Sequence, residues 1–221
     1  MFSKKQLSGF DMKKARNSKE LERIRSRIIE AALDIIVEEG LPSLTMRKLG
    51  NRLHMSAPNL YNFFQSKEEI YISIVIKGFQ MLYDELERTC LSNLDPASRA
   101  HALIDAYIDF GITNKAYYDI MFTLPTPKYN DYVGTPYEKI SAIEYKISMD
   151  IVQIAIDALK GLKKDSHRIA ADDLVHGIIK IWSMLHGMVS LANSNIMGYV
   201  TPDLEKTYRR ITNELIEQYR A

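Results

Sequence analysis

TMRKLGNRLHMSAPNLYNFFQSK, residues 45–67, decides the fold. Thr45 is a natural N-cap, because its hydroxyl can accept from a free backbone N–H at a helix start. It leads a short amphipathic run over 46–53. His54 and Met55 turn the chain. Ser56 caps a second short helix over 57–64, with Pro58 in the first turn, where a missing N–H costs nothing. Leu60 and Phe64 lie four apart and should face a core. Two short capped helices joined by a tight turn have the spacing of a helix-turn-helix. An ordinary helical hairpin, its aromatics packed on the next helix, is the plainer alternative.

The flanks supply the rest of a three-helix unit. Leu21, Ile24, Ile28, Ala31, Ala32, Ile35 and Ile36 fall on one helical face, and Gly40 closes that helix. Residues 1–18 are polar and basic without periodicity, which predicts a mobile basic arm. Ser66-Lys67-Glu68-Glu69 is a capping box opening a long helix towards Thr89. Further helices are expected near 96–113, 115–123, 137–160, 167–195 and 202–219. The stretch 124–136, LPTPKYNDYVGTP, holds three prolines and a glycine and is expected to be a loop. No stretch alternates like a strand. The fold class is all-α with about nine helices: arm 1–18, helix-turn-helix domain 19–66 and a larger C-terminal domain 67–221.

Charge divides the same way. The net charge of the whole chain is +1, but residues 1–67 hold 13 Lys+Arg against 7 Asp+Glu. A basic head on an acidic body suggests a polyanion partner at one end, or a basic tail that is merely solvated. Cys90 is the only cysteine, so no intrachain disulfide or cysteine metal cluster is possible, and a reducing compartment is expected. No apolar run is expected to reach the roughly 20 residues of a membrane helix. The first 20 residues lack a signal-peptide core. A cytoplasmic protein without membrane contact follows as the expectation. His54, His101, His167, His176 and His186 are scattered, and no nucleophile triad, phosphate loop or metal spacing is found, so no enzyme and no cofactor are expected.

On the second short helix, Ala57, Asn59, Tyr61, Asn62 and Phe63 lie toward or beside the outer face. Amides read base edges, a phenol bonds phosphate and a ring meets a thymine methyl. Thr45 and Arg47 stand at one helix N-terminus and Lys67 at another, where free N–H groups attract phosphate. Lys13, Lys14, Arg16 and Lys19 could track the DNA backbone from the arm.

The segment IIEAALDIIVEEGLPSLTMRKLGNRLHMSAPNLYNFFQSKEEIY resembles the DNA-binding domain of the TetR family of repressors over about 45 residues. The matching features are AAL…EEG, LTMRKLG and SAPNLYNFFQSKEEIY. The resemblance implies DNA-facing roles for Thr45, Arg47, Ala57, Pro58, Asn59, Tyr61, Asn62, Phe63 and Lys67. Phe63 stands where many members carry His or Tyr, so the resemblance implies a phosphate hydrogen bond lost there or replaced by apolar contact. The family implies a dimeric, ligand-responsive repressor on a palindromic operator of double-stranded DNA. A protein-binding helical adaptor and an all-α enzyme are the competing classes.

In the C-terminal body, the helix near 167–195 is apolar on two sides and the last helix carries one stripe. Together they suggest a homodimer through a four-helix bundle, unless both stripes pack inside one subunit. Trp182, His186 and Gly187 form a W-x-x-x-H-G cluster that resembles a motif of one TetR subgroup. Gly187 is expected to permit close helix contact. Tyr107, Phe110, Tyr117, Tyr118, Met121 and Phe122 cluster in sequence. With Trp182 and His186 they are candidates to line a pocket for an apolar or aromatic small-molecule effector, or else plain core.

Overall fold

Ten α-helices and no strand make up the described residues, 4–92, 94–162 and 171–220, of the computed structural model. The first, α1, runs Lys4–Glu39. Residues 4–18, expected as an arm without structure, therefore continue the helix. Extending an existing helix needs no new nucleus, and Lys, Gln, Met, Ala and Arg all propagate it well. The side chains of Lys13, Lys14 and Arg16 lie outside the described ones. Leu21 is 48% exposed, its described neighbours from Ser18 to Arg23 are exposed too, and burial begins at Ile24. Gly40 then takes φ 84°, open to a residue without Cβ, and its N–H bonds the Ile36 carbonyl at 2.8 Å.

The chain divides into two compact units, Met1–Val75 and Ile76–Ala221. The N-terminal unit holds α1, α2 (Met46–Leu53), α3 (Ala57–Leu60) and the first turns of α4 (Lys67–Cys90). Ile28, Ala32, Ile35, Leu49, Leu60, Ile70 and Ile74 are its fully buried core. The division falls inside α4 and not at its start, since Ile70, Tyr71 and Ile74 are buried in this region.

The C-terminal unit holds α5 (Pro96–Thr113), α6 (Lys115–Tyr118), α7 (Tyr129–Tyr132), α8 (Glu138–Leu162), α9 (Ala171–Asn193) and α10 (Leu204–Arg220). Central α5 packs against α8, α9 and α10. It meets α9 at Gly111, where a Cβ would lie 2.6 Å from a methyl of fully buried Val189. Asn193 ends that contact by donating to the Gly111 carbonyl at 3.0 Å. After α6 the chain makes a π-helical turn, Asp119–Thr123.

Two expectations about α9 and α10 change. Asp172–Asn193 has the length and the mean hydropathy, 1.3, of a membrane-crossing helix, contrary to the expectation that no such run exists. The average hides His176, Lys180 and His186, which interrupt the run. Only 28% of that helix window is buried within the chain, so most of an apolar helix is uncovered in one subunit. The stripe of α10, by contrast, is used up internally: Tyr208, Leu215 and Ile216 are buried, and the Tyr208 hydroxyl donates to the Met188 carbonyl of α9. Its outer face carries Arg209–Glu205 and Arg210–Glu214 ion pairs at 2.9 and 3.0 Å. The expected dimer contact through 202–219 thus loses its apolar surface to the subunit's own core.

The expected loop 124–136 contains α7 and is anchored from within. The Lys128 ammonium donates to the Ile120 carbonyl at 3.1 Å and to Thr126 Oγ1 at 2.9 Å. Glu144, on α8 and 7% exposed, sits near this ammonium. Burial pushes its carboxyl up from the ordinary 4.5 to about 7, against the pull of Lys128. The folded protein therefore holds a proton that the unfolded chain releases between about pH 4.5 and 7, so this group's contribution to stability falls as pH rises through that window. Wild-type protein should lose on the order of 1–3 kcal/mol between pH 5 and 8 relative to Glu144→Gln, measured by urea unfolding. Parallel pH profiles for the two proteins would contradict this.

Candidate nucleic-acid interface and ligand cavity

The caps that the sequence announces are made. Thr45 Oγ1 accepts from Lys48 N–H at 3.1 Å, and Ser56 Oγ from Asn59 N–H at 3.3 Å. Between them His54 takes the left-handed conformation, φ 54°, and Met55 N–H bonds the Gly50 carbonyl at 2.8 Å. Gly50 is what lets this turn close, because a Cβ there would lie 2.5 Å from the Met55 carbonyl oxygen. The α-helical part of the second helix is shorter than expected. It ends at Leu60, and overlapping turns carry the chain on to Phe64 through Phe63 N–H and Phe64 N–H, both bonded to the Leu60 carbonyl.

Arg25 of α1 fixes those turns. Its guanidinium donates to the Phe63 carbonyl, lies 4.1 Å from the Phe64 ring centroid and is 3.8 Å from Glu69 of α4. The capping box of α4 is formed in a shifted version. Ser66 Oγ accepts from Glu69 N–H at 3.1 Å, but the Glu69 carboxylate reaches back to Gln65 N–H at 2.6 Å, one residue before the cap.

Of the nine expected DNA-facing residues, Thr45, Arg47, Pro58, Asn59, Tyr61, Asn62 and Lys67 are exposed, while Ala57 and Phe63 are half-buried. Asn62 Nδ2 donates to Asn59 Oδ1 at 3.3 Å, so the two amides form one donor–acceptor surface. Tyr61 is 54% exposed beside them. The neighbouring cations divide by use. Lys48 pairs with Glu39, and Arg52 with both oxygens of Glu38 at 2.8 and 2.9 Å, tying α2 to α1. Arg47 pairs with no carboxylate among the described residues, and Lys67 only distantly with its neighbour Glu68 at 4.0 Å.

The C-terminal unit holds a partly open cavity of about 190 Å³. Of the eight candidate pocket residues, Tyr107, Phe122 and Trp182 line it; Phe110, Tyr117, Tyr118, Met121 and His186 do not. Phe110 is buried core, and Met121 packs where Gly78 of α4 leaves room, its sulfur 2.5 Å from where a Cβ would be. The walls that the sequence reading missed come from α4 (Leu82, Leu86), α8 (Ile151, Ala155), α9 (Ile178) and α10 (Tyr219). Alanines 155 and 158 on an otherwise bulky helix face are the one sequence signal for this space. His186 stands one step behind the wall. Its ring stacks on Tyr118 at 5.4 Å between centroids, and Phe122 lies 5.0 Å from Tyr118. The π-helical turn of Asp119–Thr123 follows Tyr118 and contains Phe122; such turns recur at functional sites. Burial raises the phenols of Tyr107 and Tyr118 above their ordinary value, so both remain protonated donors. Gly187 makes no close contact: a Cβ there would meet nothing within 4 Å.

Known proteins resemble both units. The family model described as "Bacterial regulatory proteins, tetR family" matches residues 28–74, and "Tetracyclin repressor-like, C-terminal domain" matches residues 100–215. The HTH-type transcriptional regulator YobS of Bacillus subtilis is 23% identical over 185 residues, 77% of this chain and 94% of that protein. The HTH-type transcriptional activator FasR of Mycolicibacterium smegmatis is 27% identical over 112 residues, 51% of this chain and 48% of that one. Among solved structures, the regulatory protein SCO4313 superposes with TM-score 0.69 at 21% identity, covering 90% of this chain and 97% of that chain. AibR, solved with isovaleryl coenzyme A and operator DNA, superposes with TM-score 0.60 at 18% identity, covering 88% and 96%.

Gly50→Ala should lower the stability of the N-terminal unit by about 1–3 kcal/mol, as overpacking against a backbone oxygen does. Urea unfolding followed by circular dichroism measures it, and an unchanged midpoint would mean the turn relaxes freely.

Proposed function

Since the chain belongs to the tetR family of bacterial regulatory proteins, it is a DNA-binding transcriptional regulator, and we propose that it acts as a dimeric, ligand-responsive repressor on a palindromic operator. One observation carries the DNA-reading part. Asn59, Tyr61 and Asn62 stand exposed together, while nearby Lys48 and Arg52 are spent on ion pairs and Arg47 is not. The paired amides read base edges, and Thr45, Arg47, Tyr61 and Lys67 clamp phosphates. Half-buried Phe63 supplies apolar contact where a polar ring is more usual.

A second copy of the chain is the partner we assign to α9. Val175, Ile179, Trp182 and Leu191 are each 45% exposed or more, and Gly187 opens onto unfilled space. A two-fold pairing of this face supplies the symmetry a palindrome requires, with half-sites read one DNA turn apart, roughly 34–36 Å. The cavity is the effector site. It exceeds the roughly 150 Å³ that suffices for benzene in a dry apolar cavity, and its wall is almost wholly apolar, so it suits a small apolar molecule. Helix α4 provides the coupling, because Ile70 and Ile74 are core of the N-terminal unit and Phe79, Leu82 and Leu86 are wall of the cavity. A coupling of about 1–3 kcal/mol changes operator affinity 5–150-fold.

A gel shift on the DNA upstream of the coding sequence, with a salt series, tests the reading. Specific binding should weaken steeply with salt, and no binding at low salt would favour a protein-binding adaptor. Tyr61→Ala and Lys67→Ala should weaken binding on all sequences, the latter reducing the salt slope by about one. Asn59→Ala or Asn62→Ala should relax base preference by about 1–3 kcal/mol. Normal affinity in all four would remove these residues from the interface. Ile179→Asp should convert the dimer to a monomer in sedimentation velocity and lower operator affinity more than tenfold; an intact dimer would place the partner elsewhere.

A further inference from the structure

Four groups join the cavity to α9 by hydrogen bonds. The Trp182 indole N–H donates to the Tyr107 hydroxyl oxygen at 2.9 Å. The Tyr107 and Tyr118 hydroxyls lie 3.2 Å apart, and the Tyr118 hydroxyl lies 2.6 Å from His186 Nδ1. Tyr107 and Trp182 border the cavity; Tyr118 is 1% exposed and His186 half-buried.

Proton counting leaves two arrangements in which all three contacts are hydrogen bonds. An indole nitrogen only donates, each phenol has one proton, and a neutral imidazole carries its proton on one nitrogen. In the first arrangement Tyr107 donates to Tyr118 and Tyr118 donates to an unprotonated Nδ1, so His186 is protonated at Nε2. The indole proton and both phenol protons then have acceptors. In the second, Nδ1–H donates to Tyr118 and Tyr118 donates to Tyr107. The Tyr107 proton is then left over beside an apolar cavity, with Tyr107 itself only 7% exposed. An unmet buried hydroxyl costs about 1–3 kcal/mol, so the empty protein takes the first arrangement.

A molecule in the cavity reverses the order only if it accepts a hydrogen bond. A hydrocarbon leaves the chain untouched. A hydroxyl can donate to the spare lone pair of Tyr107 without turning anything round. A carbonyl needs the Tyr107 proton, and once it is taken the chain keeps all of its hydrogen bonds only if Tyr118 donates to Tyr107 and Nδ1 donates to Tyr118. Half-buried His186 then takes one proton from water, carried at Nδ1, and returns its Nε2 proton to water, so protons and charge balance.

We propose that the cavity takes an apolar molecule bearing one carbonyl-type acceptor, which Tyr107 recognises, and that the hydrogen-bond chain reports its presence on α9 as a change of His186 tautomer. This rests on the reading of the cavity as the effector site. It gives a nearly unpolar pocket a way to distinguish ligands: an effector must bind two states differently, and the acceptor supplies such a difference. It also places the response beside Trp182, 47% exposed on the outward face of α9.

The test uses ethylbenzene and acetophenone, which are close in shape and differ by the carbonyl. Nitrogen-15 NMR of histidine-labelled full-length protein reads the tautomer, and methyl shifts of Leu and Ile around the cavity read binding. The empty protein should show His186 as Nε2–H. Acetophenone should convert it to Nδ1–H and ethylbenzene should not. Tyr107→Phe should reduce the preference for acetophenone over ethylbenzene by about three- to tenfold. Tyr118→Phe should keep or raise that preference while abolishing the tautomer change, an outcome a merely structural Tyr118 would not give. An empty protein already in the Nδ1–H form, or bound acetophenone with no change at His186, overturns the proposal and leaves the effector site standing. Methyl signals unmoved by both probes overturn the effector site and the proposal with it.

Discussion

The exposed face of the second short helix depends on one guanidinium. Arg25 reaches from α1 to the Phe63 carbonyl, covers the Phe64 ring and approaches Glu69 at the start of α4. A four-residue helix is far too short to hold itself in water, so its orientation must come from its neighbours. Phe64 and Leu60 bury the inner side, and Arg25 satisfies a carbonyl that the turn leaves over. Asn59, Tyr61 and Asn62 are free to face outward because the inner side is fixed so fully.

The C-terminal unit solves a different problem. It must be closely packed and still keep a hole. Glycines permit the packing where helices cross, as Gly111 does under Val189 and Gly78 under Met121. The hole survives where α8 presents Ala155 and Ala158 to rings and branched side chains that cannot collapse onto them. The polar groups at its edge bond to one another and leave the wall apolar.

Caps and breakers made the head legible. Thr45, Gly40, Ser56 and Pro58 each act within a few residues, so the bounds of α2 and the start of α3 follow from local chemistry. Where α3 ends did not follow, because Tyr61–Phe64 has no breaker and its turns are set by Arg25, 38 residues away from Phe63. The cavity was half legible for the same reason. Aromatic residues announce themselves in sequence, but whether Met121 fills space or borders it depends on Gly78 across the helix pair. An amphipathic stripe does not say whose core it joins: the stripe of α10 is buried at home, while much of α9 is left open.

Helix α4 has a mechanical meaning of its own. It is one unbroken rod of 24 residues, so about 36 Å long. Leu86 and Lys67 stand about 28 Å apart along it at 1.5 Å per residue. Pivoted near Leu86, a tilt of only about 7° carries the Lys67 end through about 3.4 Å, the rise of one base pair. The rod is thus a lever by its length alone: a small change of angle at one end is a displacement of base-pair size at the other.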